Sequence, residues 1–306
     1  LRLSIQEKHH WFQCEGELKV DEDTVLSLQS LLDTSRTFKK RFVALTDGTY
    51  LSLNNDLRKR LNELSSAVFY DNKLINIQPF ALPLLDELLE KAGSVSTDAG
   101  FDKFVRKRAA ALMQQATVPA TLQTTLRPYQ EEGFQWMTRL AAWGAGACLA
   151  DDMGLGKTIQ AIALLLHRAE EGAALIVCPA SVVHNWVNEL NKFAPTLNIL
   201  TLQQGDRAAV IKSAGPFSVV LTTYGVMQTS ADLPAVKWHT IVLDEAHTIK
   251  NFQTKTARAA LQLQGSFRLM LTGTPIQNHM LELWSLFNFL NPGLLDSLDH
   301  FNKQFV

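Results

Sequence analysis

The sequence lacks any run of about 18 uncharged apolar residues, so no segment reads as a membrane-spanning helix. Cysteine is scarce: Cys14, Cys148 and Cys178 lie far apart in 306 residues. That spacing suits neither a disulfide framework nor a metal site, and the thiols read as reduced groups in apolar surroundings. The 8 histidines form no zinc pattern either, and His9-His10 reads as a solvated strand start. No excess of one charge exists: 29 basic and 30 acidic side chains leave a net charge of −1. The balance holds in both parts of the chain, with 16 basic and 16 acidic residues in 1–118, and 13 and 14 in 119–306. A general polycationic field is therefore excluded, and any nucleic acid must be gripped by a local surface. There is no internal repeat, low-complexity tract or signal-peptide pattern. The chain starts at Leu1 rather than methionine, and we expect it to be a piece of a longer protein.

Against those absences stands a change of texture near "TVPATLQTT", residues 117–125, which predicts domains at 1–118 and 119–306. The first part mixes short patterns. "HWFQCEGELKV" alternates like a strand, and "KRFVALTDGTYLSL" reads as a hairpin around Asp47-Gly48. Helical spacing appears in "TVLSLQSLLD", "DLRKRLNELSSAVF", "ALPLLDELLEKAG" with Gly93 as its cap, and "GFDKFVRKRAAALMQQ". A small α+β module is expected. Its basic clusters at 39–41, 58–60 and 106–108 could add DNA contacts, but the matching acidic residues favour ordinary solvated faces.

The second part alternates apolar runs with helix patterns. "ACLA", "ALIVC", "NILTL", "FSVVLTTY", "TIVLDE" and "FRLMLTGT" read as buried strands, with "TIQAIALLLHRAEE" and "VVHNWVNELNKFA" as helices between the earlier ones. Such a pattern predicts an α/β domain whose mostly parallel sheet is covered by helices on both faces. Ligands then bind at the carboxyl ends of the strands.

One strand end carries "DDMGLGKT". Gly154, Gly156, Lys157 and Thr158 suit a phosphate loop, in which backbone N–H groups and a helix N-terminus face the anion. Lys157 would reach the β- and γ-phosphates and the Thr158 hydroxyl would hold Mg²⁺. The usual first glycine is Asp151, a residue type that tolerates a left-handed backbone. A second strand, "TIVLDEAH", ends 87 residues after Lys157. Asp-Glu after a strand is often a solvated turn. Paired with the upstream loop, Asp244 instead becomes a magnesium ligand, and Glu245 the group that orients or deprotonates an attacking water.

Taken together, "LRPYQEEGFQWM", "DDMGLGKT", "LIVCPASVVHNWVNE", "VLTTYGVM", "DEAHTIKN" and "LTGTPIQNHMLELWSLFNFLNP" resemble the Swi/Snf family of DNA-dependent ATPases within superfamily-two helicases, over residues 126 to about 301. The resemblance implies the first RecA-like lobe of a motor that uses ATP and Mg²⁺ to move on double-stranded DNA and to remodel DNA-bound protein complexes. It assigns Arg127, Gln130, Met153, Gly154, Leu155, Gly156, Lys157 and Thr158 to the nucleotide, with Gln130 reading adenine. An acidic pair commonly opens this loop in the family, so Asp151 and Asp152 need not spoil it. One of them is expected to hydrogen-bond a neighbouring loop or magnesium-bound water.

The same resemblance implies that Ser181, His184, Trp186, Thr222 and Thr223 line a DNA rim, holding the backbone without reading bases. Ser181 equally suits a helix N-cap, and Trp186 suits core packing better than base stacking. Lys250 and Lys255 reach either DNA or solvent. His247, Thr272, Gly273 and Thr274 are implied to couple the nucleotide state to the DNA grip, while Trp284 reads as core. The family's second lobe supplies arginine fingers, so the isolated 306 residues are expected to bind ATP weakly and hydrolyse it slowly. The module before the motor resembles bacterial members, which implies a cytoplasmic, nucleoid-associated protein (nuclear if eukaryotic). The rival readings are a strand-separating DNA or RNA helicase and a non-enzymatic nucleotide switch. Intact Lys157, Asp244 and Glu245 argue against the switch.

Overall fold

A strand buried on both faces needs apolar residues at every position, and the second half of the chain meets that demand in a computed structural model. The structure describes residues 2–8, 11–19, 25–37, 42–44, 50–53, 55–71, 74–77, 79–202, 207–274, 279–295 and 298–305. The chain divides into two compact units, Leu1–Lys107 and Arg108–Val306.

In the first unit the order is β1 (Arg2–Lys8), β2 (Trp11–Lys19), β3 (Val25–Ser27), α1 (Leu28–Thr37), β4 (Phe42–Ala44), β5 (Tyr50–Ser52), α2 (Asn55–Ala67), β6 (Val68–Asp71), β7 (Leu74–Ile77), α3 (Pro83–Lys91), β8 (Ser94–Thr97) and the start of α4 (Ala99–Met113). The main sheet runs β6-β7-β2-β1-β8, with β3 also on β2. All its pairs are antiparallel except β1 with β8. Leu3, Ile5, Phe12 and Cys14 pack from the sheet against Leu31, Leu32, Leu61 and Leu64 of the helices. Strands β4 and β5 pair antiparallel as the expected hairpin, whose turn lies outside the described residues, as do His9-His10 and the 39–41 cluster. Two helix patterns shorten. β3 takes the first residues of "VLSLQSLLD", and β6 takes the end of "NELSSAVF", because sheet pairing overrides a short local period. The cap expected at Gly93 is absent, since α3 ends on Ala92 in an extended conformation.

The second unit contains the rest of α4, then α5 (Pro128–Trp143), β9 (Ala147–Leu149), α6 (Lys157–Arg168), β10 (Ala174–Cys178), α7 (Val183–Phe193), β11 (Asn198–Thr201), α8 (Arg207–Ser213), β12 (Ser218–Thr223), α9 (Tyr224–Thr229), β13 (Lys237–Asp244), α10 (Lys255–Gln262), β14 (Gln264–Leu271), α11 (Met280–Leu290) and α12 (Leu298–Phe305). The stretch read as a linker lies on this unit. Leu122 is buried in its core between the equally buried Ala116 and Leu126, and Gln123 N donates to Phe193 O at 2.8 Å.

Six parallel strands run in the order β11-β12-β10-β13-β14-β9. Alternation splits each strand between two cores. Ile176, Leu221, Val242 and Leu269 face α5, α6 and α7. Leu175, Val177, Val220, Ile241, Leu243 and Met270 face α8, α9, α10 and α11. All six strands read from the sequence are present, and every loop leaving a carboxyl end emerges on the same edge.

Candidate nucleotide site

The turn from β9 into α6 passes through Gly154 (φ 86°) and Gly156 (φ 77°), left-handed positions where a side chain is strained. A Cβ on Gly156 would also run into Gln130 Nε2. Asp151 does not use the left-handed conformation anticipated for it, since Phe217 and Glu245 are the non-glycine residues with positive φ among those described. Its carboxylate is engaged instead by α6, where Nε2 of fully buried Gln160 donates to Asp151 Oδ2 at 3.1 Å. The carboxylate thus ties the loop to the helix behind it. Lys157 Nζ folds over the loop and donates to Asp151 O at 2.7 Å and Asp152 O at 3.2 Å.

Gln130 is buried at the start of α5. Its Oε1 accepts from Arg127 N at 2.9 Å, and its Nε2 donates to Leu155 O at 3.1 Å. Tyr129 OH donates to the same carbonyl at 3.1 Å. Leu155 therefore holds the loop through its backbone carbonyl, and it does not line the cavity described below.

Strand β13 ends at Asp244, and Glu245 turns the chain with φ 48°. Three neighbours hold Asp244. Trp186 Nε1 donates to Oδ2 at 2.8 Å, Glu245 N donates to Oδ1 at 2.9 Å, and Tyr224 OH donates to the backbone carbonyl at 2.8 Å. Burial raises the Asp244 carboxyl above its ordinary range, partly offset by the Trp186 and Glu245 hydrogen bonds and by Lys157. Glu189, one turn beyond Trp186 on α7, is also raised, by burial first and then by Asp244. His247 Nδ1 lies 3.2 Å from Glu245 Oε2.

The two strand tips open on one cavity of about 590 Å³. Arg127, Gln130, Met153, Gly154, Gly156, Lys157 and Thr158 line one side, with Asn185, Trp186, Glu189, Asp244 and Glu245 opposite. Sequence reasoning missed Asn185, Glu189 and Tyr224. The resemblance placed Trp186 at the DNA rim, but the ring is 2% exposed and offers DNA no surface, in line with the core packing its helical spacing favoured. The 3-residue spacing of Trp186 and Glu189 on one helix face was the available signal.

Ser181 and His184 are exposed at the start of α7. Ser181 is not the helix cap, because Val182 occupies that position without a side-chain cap. Thr223 Oγ1 caps α9 by accepting from Val226 N at 3.2 Å. Thr222 is 1% exposed and its hydroxyl meets no partner among the described residues, so it cannot reach DNA from here. Strand β12 lies inside the sheet, between β11 and β10, and its residues Val219, Val220 and Leu221 pack into the cores on both faces, so this tip residue is buried with them. Lys250 pairs with Glu282 at 3.2 Å, and Lys255 is exposed at the start of α10. Trp284 is only partly buried and meets Phe252 edge-on at 5.6 Å. At the end of β14, Thr272 N donates to Leu149 O at 3.2 Å and Thr272 Oγ1 accepts from Thr274 N at 3.2 Å. A Cβ on Gly273 would meet Met153 Cγ at 3.4 Å, so this segment lies against the glycine loop. The "PIQN" residues lie outside the described set.

The donor set facing the cavity is hydroxyl and carboxylate oxygen, which fits a hard cation such as Mg²⁺ better than zinc. No three His, Cys, Asp or Glu side chains converge as a metal cage among the described residues. A cation held by Thr158 and Asp244 would need phosphate oxygens to complete its shell. No described helix is long and apolar enough to cross a membrane.

Loop, parallel sheet and paired carboxylate define a RecA-like P-loop domain. More narrowly, the chain belongs to the SNF2-related family, whose domain profile matches residues 129–306. It is 40% identical over 280 residues to the "Putative ATP-dependent helicase/translocase YwqA" of Bacillus subtilis, covering 87% of this chain and 29% of that protein. That coverage exceeds the second unit, so the likeness reaches into the first. The chromatin-remodeling ATPase INO80 of Saccharomyces cerevisiae is 43% identical over 204 residues, covering 61% of this chain and 14% of that one. The SWI2/SNF2 ATPase core of Sulfolobus solfataricus in complex with double-stranded DNA superimposes with a TM-score of 0.59 at 44% identity, covering 63% of this chain and 41% of that chain. The chain thus spans less than a third of the YwqA relative and under half of that solved core.

Proposed function

We propose that the second unit is the ATP-binding lobe of a Swi/Snf-type DNA-dependent ATPase that translocates on duplex DNA. The observation that carries this reading is the single cavity shared by Lys157 and Thr158 from one strand tip and Asp244 and Glu245 from another. In it, Lys157 exchanges the Asp151 and Asp152 carbonyls for phosphate oxygens, and the loop N–H groups face the same anion. Thr158 and Asp244 would hold a divalent cation such as Mg²⁺, which would supply neutralisation of charge on the phosphates. Glu245 orients a water and takes its proton, and His247 Nδ1 lies 3.2 Å from that carboxylate. Gln130 fixes the rim beside the base. Ser181, His184 and Thr223 on the same edge hold the DNA backbone. Thr272, Gly273 and Thr274, against the loop, carry the nucleotide state toward that edge. The first module is accessory to the motor. The likeness to YwqA supports a bacterial source, and the likeness to the chromatin-remodeling ATPase INO80 supports action on DNA-bound protein complexes.

The test is phosphate release with and without duplex DNA, on the chain alone and joined to a second lobe of the family. The joined protein should be stimulated by DNA and the chain alone should be slow. Glu245→Gln should retain nucleotide and lose turnover. Motor-like rates from the 306 residues alone would contradict the two-lobe reading, and turnover indifferent to DNA would contradict the translocase reading.

A further inference from the structure

Trp186 stands apart from the unit's other fully packed indole. Trp238 Nε1 donates to a backbone carbonyl, Leu233 O, at 3.1 Å, the ordinary way for a core tryptophan to satisfy its one donor. Trp186 Nε1 instead donates to an ionisable side chain, Asp244 Oδ2, at 2.8 Å and 58 residues away in sequence. Its ring is anchored among Val183, Leu190 and the α6 core, and cannot follow if the carboxylate turns away. Glu245 N holds the other oxygen at 2.9 Å, and Tyr224 OH fixes the backbone behind it. Both carboxylate oxygens are thus held from the protein side, and each retains a lone pair for the cavity.

We propose that Trp186 is a positioning residue for the nucleotide site: its indole N–H fixes the Asp244 carboxylate in the orientation that receives a divalent cation together with the nucleotide. This rests on the nucleotide reading above. Hydrogen bonds to a ligating carboxylate set its direction and basicity, and losing one costs about 10- to 100-fold in metal affinity. Direct phosphate contacts by Lys157 and the loop do not pass through Trp186. Its loss therefore weakens the metal-dependent part of binding and spares the metal-free part, a split that simple loosening of the core would not produce.

The experiment is a titration of a fluorescent ADP derivative onto the chain, at graded Mg²⁺ and in chelator, for wild type and Trp186→Phe. Phenylalanine keeps an aromatic ring and removes the donor. Half-saturation in Mg²⁺ should rise about 10-fold or more, with chelator affinity within about 2-fold of wild type. A folded Trp186→Phe with unchanged Mg²⁺ dependence would overturn the proposal, as would equal losses with and without metal. Should that variant fail to fold, the six tryptophans give six indole resonances in the wild type. One of them should move both on Asp244→Asn and on adding Mg²⁺ at fixed ADP; no such shared resonance would overturn the proposal. A wild type that binds the ADP derivative without any Mg²⁺ effect would remove the site itself, and the proposal with it.

Discussion

Replacing Asp151 by alanine removes the acceptor of Gln160 Nε2, 3.1 Å away on a side chain with 0% exposure. Gln160 Oε1 already meets no partner among the described residues, so the whole buried amide would be left unpaired. A stranded buried polar group costs about 1–3 kcal/mol, and bonds to charged partners lie toward the upper end. Asp151 is itself only half-buried, so about 2 kcal/mol is expected. For a domain of this size each kcal/mol moves the melting temperature by about 2–4 °C, which gives a drop of about 4–8 °C. Asp151→Asn keeps an oxygen acceptor and should lose less than about 1 kcal/mol. Thermal unfolding followed by tryptophan fluorescence isolates the right unit, because five of the six tryptophans lie in it. An unchanged melt for Asp151→Ala would refute the reasoning. Equal losses for both variants would show that charge, rather than the acceptor, matters to the loop.

Thr222→Val removes a buried hydroxyl that meets no partner, so the melt should hold or rise, by up to about 1 kcal/mol, with DNA affinity unchanged. Weaker DNA binding in that variant would restore Thr222 to the interface. Burial first, and then the Arg168 guanidinium, hold the His239 imidazole below its ordinary range. Its contribution to stability is therefore full above that range and lost as pH falls through the lowered value, so wild type should weaken relative to His239→Gln on acidification. Parallel melting curves from pH 7.5 to about 5 would count against it.

The sheet was legible because a parallel strand covered on both faces must be apolar throughout, as "ALIVC" and "TIVLD" are. The loop and the carboxylate pair were legible because each is contiguous in sequence and sits at a strand end. What escaped were partnerships between distant segments. Trp186 meets Asp244 only because β10 lies beside β13 in register, Ala174 opposite Thr240, which brings the following helix over the carboxylate. The bond from Gln160 to Asp151 was hidden for a different reason: a glutamine inside an amphipathic helix reads as a surface residue until its burial is seen. In the first unit, three- and four-residue strands such as β3 and β6 are too short to carry a period against the helices beside them.

Calorimetry of Mg²⁺ with a non-hydrolysable ATP analogue tests the central claim most directly, on wild type, Lys157→Ala, Asp244→Ala and the double variant. One site per chain is predicted, weakened at least about 10-fold by either substitution, with the double variant losing less than the sum of the two. Binding that survives both substitutions, or that responds to only one of them, would contradict a shared site at the two strand tips.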